Sequence, residues 1–191
     1  MPRISRRALP VATVALARYL IGKRLVHATP AGRVAGRIVE TEAYPPGDPT
    51  GYARPGLTTS NAPLFAARGT GYVRMVYGAC LTLNLAAETE GVGAAVLIRA
   101  LEPTEGIDLM LARRPASRLR NLARGPGRVC AALGIGRDLS GIDLCAGGEL
   151  WLERMPGAAV IQVSTRIGLS RDQHRRLRFV ERGSPFVSIP P

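Results

Sequence analysis

Two glutamates, Glu40 and Glu42, stand two residues apart in Val39-Glu40-Thr41-Glu42-Ala43-Tyr44. On a strand that spacing turns both side chains to one face, with Cα atoms roughly 6.5–7 Å apart. Paired carboxylates can support hydrolysis by general acid–base work. Alternating charge along a strand is more commonly a solvated face, and spacing alone favours that reading. Tyr44 shares the face. An aromatic beside a carboxylate, at the mouth of a long loop, could stack a flat substrate next to a base. Tyr77 precedes Gly78 at a turn and would project from a hairpin tip, or else lie half buried against neighbouring strands. Arg99 interrupts the apolar strand Leu97-Ile98-Arg99-Ala100-Leu101-Glu102-Pro103. It needs an anionic partner there, Glu102 or another carboxylate, because unpaired buried charge is costly.

Other chemistries are poorly supplied. Lys23 is the only lysine and so the only candidate for a Schiff base; the excess of arginine reads first as coding bias. Cys80, Cys130 and Cys145 are too few and scattered for a disulfide framework or a zinc cluster, and His27 and His174 add no metal-ligand spacing. No metal or cofactor is expected. The chain has 191 residues, 46% hydrophobic and 21% charged, which excludes wholesale disorder and rod-like assemblies. Lys and Arg number 26 against 14 Asp and Glu, a net charge of +12. A domain this basic is expected to meet a polyanion, nucleic acid before an acidic membrane surface. Arg18 interrupts the apolar run from Val11 to Ile21, which is also too short to span a bilayer. A cytoplasmic, reducing compartment and a monomer are the expectations.

The elements that must position these residues can be read from periodicity. Leu9–Ile21 reads as an amphipathic helix ending at Gly22, with Leu9, Ala12, Leu16 and Leu20 on one face. Arg33–Tyr44 reads as a strand, with Ile38, Glu40, Glu42 and Tyr44 sharing a face. A long surface loop rich in Pro, Gly, Thr and Ser follows to Arg68, of a length that is usually functional or disordered. Strands are expected at Gly71–Val76, Cys80–Ala87 and Gly93–Leu101, punctuated by Tyr77-Gly78 and Glu90–Gly93. Helices are expected at Pro103–Arg113, Ala116–Arg124 and Arg128–Leu133, and further strands near 150–154, 158–165 and Phe179. Hairpin-linked strands with helices gathered elsewhere point to an α+β fold: one mixed domain over residues 1–191, around a curved antiparallel sheet with peripheral helices. Residues 1–8 have no assigned element and are a candidate for disorder.

Taken in order, Val39–Tyr44, Tyr77-Gly78 with Asn84 seven residues on, Leu97–Pro103, Gly125-Pro126-Gly127 and Arg182-Gly183-Ser184-Pro185 form a specific set. Together they resemble the alkyladenine (3-methyladenine, methylpurine) DNA glycosylase family, over about Arg18 to Ser188. The resemblance implies hydrolysis of the N-glycosidic bond of a damaged purine in double-stranded DNA, without a Schiff base or a metal. It implies that Glu42 is the general base and that Arg99 accompanies the attacking water. By the same resemblance Tyr44 stacks on the extruded base, Tyr77 enters the vacated stack, Asn84 guards the pocket and Leu169 forms part of its wall. Arg128 and Arg182 become candidate DNA-backbone contacts, with further phosphate partners in the basic stretch Arg171–Arg178.

The physics of such a reaction suits the composition. A damaged purine inside a duplex must be flipped out, at a cost of a few kcal/mol. A wedge can fill the gap, and stacking on a base is worth about 1–3 kcal/mol. Arginine supplies sequence-independent, salt-sensitive attraction to phosphate. Two positions depart from the family pattern: Tyr52 where a histidine is common, and Arg74 where a second stacking tyrosine is usual. A positive charge at Arg74 would oppose a cationic base, so the expected range shifts toward neutral lesions such as hypoxanthine. The alternatives are a damage-binding protein on the same fold that has lost efficient catalysis, and a basic RNA- or ribosome-associated protein.

Overall fold

The run from Gly32 to Tyr44 carries Val34, Ile38, Val39 and Thr41 and no proline, a composition that suits a pleated, half-buried surface. In the computed structural model, which describes residues 1–191, it forms the longest strand of the molecule. The chain order is α1 (Thr13–Leu20), β1 (Arg24–Thr29), β2 (Gly32–Tyr44), β3 (Gly71–Val76), β4 (Cys80–Ala86), β5 (Ala95–Glu105), α2 (Ile107–Arg113), α3 (Pro126–Leu133), β6 (Leu150–Glu153), β7 (Ile161–Ser164) and β8 (Arg178–Glu181). All eight strands belong to one antiparallel sheet, curled into a half-barrel, in the order β3-β4-β5-β2-β1-β6. Strand β2 is its spine. One edge pairs with β5; the other is shared between β1 along residues 32–37 and β8 along 40–42, with β7 outside β8. The α+β expectation holds.

The register of β2 against β5 shifts between Ile38 and Glu40, which marks a bulge. Ile38 therefore joins Ala43 in the main core of 31 buried residues, while Val39 packs with Ala100, Val180 and Val187 in a separate cluster. Ile38 was expected on the face of Glu40, Glu42 and Tyr44; the bulge turns it to the other.

Helix α1 begins four residues later than the expected Leu9 start, beyond Pro10. Leu9 is buried ahead of it and Ala12 is exposed. Its N-terminus is capped from afar, since Glu88 Oε1 accepts from Thr13 N at 2.7 Å and from Thr13 Oγ1. The buried face is Thr13, Leu16, Ala17 and Leu20, and Thr41 Oγ1 donates to Ala17 O at 2.9 Å. Thr41 alternates with Glu40 and Glu42, so the two glutamates point away from α1.

Strand β5 runs on through Pro103 to Glu105, where a helix start was expected. Strand β4 covers only residues 95–97 of β5, so Pro103 sits where β5 is an edge, the place where a missing N–H is tolerated. The expected helix at Ala116–Arg124 shrinks to a single 3-10 turn at Leu119–Asn121. Helix α3 starts at Pro126, and a Cβ on Gly127 would come within 2.8 Å of Cys80 Cβ, so only glycine allows this approach to β4. Residues 1–8 are docked: Ile4 is fully buried and its N–H donates to Leu152 O at 2.9 Å, and Arg3 bridges to Glu153. No helix is long and apolar enough to cross a membrane.

Candidate active site

On the face of β2 away from α1, the bulged strand delivers Glu40, Glu42 and Tyr44 side by side. The expectation of a solvated face fails, because both glutamates have no exposed surface. Strand β8 flanks them in the sheet, Ser188 closes on Glu40 and Ile167 on Glu42, and two buried arginines balance their charge. Arg99, from β5, places Nε 3.1 Å from Glu40 Oε1 and Nη1 3.2 Å from Glu42 Oε2. Arg178, from β8, places Nε 2.8 Å from Glu40 Oε1. Glu40 and Glu42 are thus the anionic partners that Arg99 needs, and Glu102 is not.

The two carboxylates are unequally satisfied. Glu40 receives four donors: Arg99 Nε, Arg178 Nε, Ser188 N and Ser188 Oγ, the last at 2.7 Å. Three of these crowd Oε1 and one, Ser188 N, takes Oε2, and of the four only Arg99 comes from the side of β5. Glu42 receives three: Arg99 Nη1 and the Tyr44 hydroxyl (2.9 Å) on Oε2, and Ile167 N (2.8 Å) on Oε1. One position on Oε1 is left. Burial pushes the Glu42 carboxyl above the usual range, helped by the neighbouring charge of Glu40 and opposed by Arg99, the Ile167 N–H and the Tyr44 hydroxyl. Burial likewise pushes up the Tyr44 phenol, and the charge of Glu42 adds to it.

The three groups that donate to Glu42 belong to residues lining a cleft of about 490 Å³. The same cleft brings together Tyr52, Arg74, Tyr77, Asn84 and Leu169. No Asp or Glu lines it. Tyr77 is 89% exposed at the tip between β3 and β4, which excludes the half-buried alternative. Its φ of 53° is followed by 65° at Gly78, and Ala79 N donates to Val76 O, so the pair forms a tight turn of the type that suits hairpins. For a bulky residue that backbone is strained, a cost of order 1–3 kcal/mol that tends to mark functional positions. Asn84 is buried, with its amide nitrogen 3.5 Å from Tyr72 O and no protein partner for its side-chain oxygen.

Arg74 lies over the Tyr52 ring, 4.5 Å from its centroid, and donates to the Tyr72 hydroxyl at 3.0 Å. Tyr52 meets Tyr72 edge to face. Arg128 and Arg182 are exposed, but neither lines the cleft. Within Arg171–Arg178, Arg178 is buried and paired with Glu40, whereas Arg175 pairs with Asp48 and stays partly exposed. Lys23 sits 4.9 Å over the Tyr19 ring, outside the cleft. No three His, Cys, Asp or Glu side chains are grouped as metal ligands.

Sequence reasoning missed Asp48 and Arg166. Arg166 is buried 4.6 Å over the Tyr44 ring and donates to Asp48 at 2.8 Å, while its Nε and Nη2 have no partner. It stiffens the wall that Tyr44 presents. The signal was faint: an arginine beside Ile167 in a loop.

Residues 8–185 match the family model described as methylpurine-DNA glycosylase. The chain is 54% identical over 188 residues to a protein of Paraburkholderia phytofirmans named "Putative 3-methyladenine DNA glycosylase", covering 97% of this chain and 87% of that one. Proteins of the same name from Mesorhizobium japonicum and Methanocella arvoryzae are 54% and 45% identical, over 99% and 98% of this chain and 91% and 96% of theirs. By these matches the protein is of the DNA glycosylase class, hydrolases of N-glycosyl bonds in base excision repair. The chain belongs to the methylpurine-DNA glycosylase family.

Proposed function

We propose that this protein draws a damaged purine out of duplex DNA into the cleft and hydrolyses its N-glycosidic bond, with Glu42 as the general base. The observation that carries this reading is that the residues lining the cleft are the ones that hold Glu42. All three donors to Glu42 belong to residues that line the cleft, and its Oε1 keeps an acceptor position beside them, whereas of the donors to Glu40 only Arg99 lines the cleft. A water held there gives its proton to Glu42 as its oxygen attacks the sugar carbon. The carbon–nitrogen bond breaks with its electron pair on the purine. A cationic purine leaves neutral, whereas a neutral one must also take up a proton. Arg99 holds Glu42 by Nη1 and has Nη2 unbound within the protein. Tyr77 is the wedge that fills the vacated stack, Tyr44 is the stacking platform, and the exposed arginines meet phosphate.

Arg74 bears on the choice of base. A guanidinium fixed over Tyr52 puts positive charge in the cleft wall, which opposes a cationic base and is indifferent to a neutral one. The expected order of excision is therefore hypoxanthine ahead of 3-methyladenine.

The test is single-turnover release of free base from duplexes holding one hypoxanthine, ethenoadenine or 3-methyladenine, with Glu42→Gln beside the parent. Release by the parent and loss in the variant, with lesion binding kept, supports the assignment. Equal release by both removes Glu42 from the role of base. Tight binding without release from any substrate turns the reading to a damage-binding protein.

A further inference from the structure

Glu40 is a fully buried carboxylate that the chemistry above does not use. Such a group is retained at a cost unless it is paired and hydrogen-bonded, and Glu40 is held by two arginines and by Ser188. Its donors come from three elements. Arg99 arrives from β5, Arg178 from β8, and Ser188 from the segment after β8. That segment is itself pinned: Arg178 Nη2 donates to Ile189 O, Arg124 Nε donates to Val187 O at 2.6 Å, and Val187 packs on Val39, Ala100 and Val180.

The guanidinium of Arg99 is divided in a way that Glu40 dictates. Nε goes to Glu40, Nη1 goes to Glu42, and Nη2 has no partner within the protein, in a residue that lines the cleft. A planar fork gripped at Nε cannot swing its other two nitrogens freely. Were Glu40 absent or able to rotate, Arg99 could turn both arms onto Glu42 and occupy the acceptor position that a water needs. We infer that Glu40, locked by Ser188 and Arg178, is a positioning residue that holds Arg99 to a single contact with Glu42 and so keeps the base open. The inference rests on Glu42 being the base.

Charge acts in the same direction. The groups around Glu42 are Tyr44 and Glu40 on its own strand, Arg99 on β5, Arg178 opposite it on β8, and Arg166 with the Ile167 N–H on the loop after β7. Glu40 is the one other carboxylate among them. Its negative charge raises the Glu42 carboxyl, so neutralising it lowers the pH at which Glu42 ionises.

The experiment measures single-turnover base release against pH, and lesion-duplex affinity, for the parent, Ser188→Ala, Ser188→Thr and Glu40→Gln. Ser188→Ala is expected to slow release about three- to tenfold at unchanged affinity, less than a full hydrogen bond to a charged group is worth because Ser188 acts through Glu40 and Arg99. Ser188→Thr, which restores the hydroxyl, is expected to regain most of the rate. Glu40→Gln is expected to slow release further and to move the acidic limb of the profile to lower pH. Parental rates in Ser188→Ala would overturn the inference, as would an unshifted limb in Glu40→Gln or equal losses in Ser188→Ala and Ser188→Thr. If Glu40→Gln does not fold, the two Ser188 variants decide. Failure of the parent to release any base is the separate result that removes the underlying reading.

Discussion

The hydroxyl of Tyr44 donates to Oε2 of Glu42 across 2.9 Å. The ring that would stack on a base therefore also holds the carboxylate that would activate water, and a shift of one displaces the other. Stacking and proton transfer can be separated by removing the hydroxyl alone. Tyr44→Phe keeps the platform and takes away a hydrogen bond that lowers the pKa of Glu42. A bond to a charged group is worth about 1.5–3 kcal/mol, so single-turnover release should fall at least tenfold at neutral pH with lesion affinity unchanged. Activity needs ionised Glu42 and is lost as pH falls through its pKa. The acidic limb should therefore move to higher pH. An unchanged limb would mean that Tyr44 does not act through Glu42.

Tyr77 combines exposure with left-handed backbone, a conformation that glycine adopts without strain. Tyr77→Gly should leave the melting temperature unchanged or raised, because relief of strain offsets the extra freedom of the unfolded chain. The same change should weaken lesion-duplex binding by about 1–3 kcal/mol, the worth of one stacked base. Loss of stability with intact binding would assign Tyr77 to the fold instead.

Arg74→Tyr should raise the release of 3-methyladenine relative to hypoxanthine, measured as a ratio of single-turnover rates. The ratio matters more than either rate, since removing an arginine also weakens DNA attraction in general. A parent that already prefers 3-methyladenine, with no change in the variant, would show that Arg74 does not select the base.

Asp48 supports the cleft wall from behind, through Arg166 and Arg175. Burial alone would raise its pKa, but the hydroxyl and N–H of Thr50 and the Arg166 guanidinium outweigh this and hold it below its ordinary 3.8. A depressed carboxyl contributes stability that is complete above its unfolded pKa and is lost as pH falls through the folded one. The parent should accordingly lose stability below about pH 4. Asp48→Asn should be less stable by about 3–5 kcal/mol at pH 7, the cost of breaking a buried pair. It should also show a flatter decline below pH 4, as read by denaturant titration at each pH.

Much of the scaffold was legible because local chemistry agreed with the fold. Strand β3 begins and ends where its glycine and the Tyr77-Gly78 turn say it should, at Gly71 and Val76. Pro103 misled because a proline that can open a helix can equally lie on a sheet edge, and only the short reach of β4 decides between them. The glutamates misled for a longer-range reason. Whether Glu40 and Glu42 face water depends on Arg178 and Ser188, which lie 138 and 148 residues from Glu40. No window of sequence contains both ends of such a contact. Arg166 was invisible for the same reason, since its stacking on Tyr44 joins a loop to a strand more than a hundred residues earlier.

Ser188 reaching back to Glu40 also orders events during synthesis. The spine strand emerges from the ribosome early, but its central edge stays unpaired until β8 has followed, and Glu40 stays short of donors until residue 188 is free. Domains mature as units, and contacts of large sequence separation close last. A nascent chain that has emerged only as far as β5 would hold Glu42 and Arg99 without the partners that arrange them. The arrangement proposed to cut a base from DNA is thus postponed until residue 188 has been made.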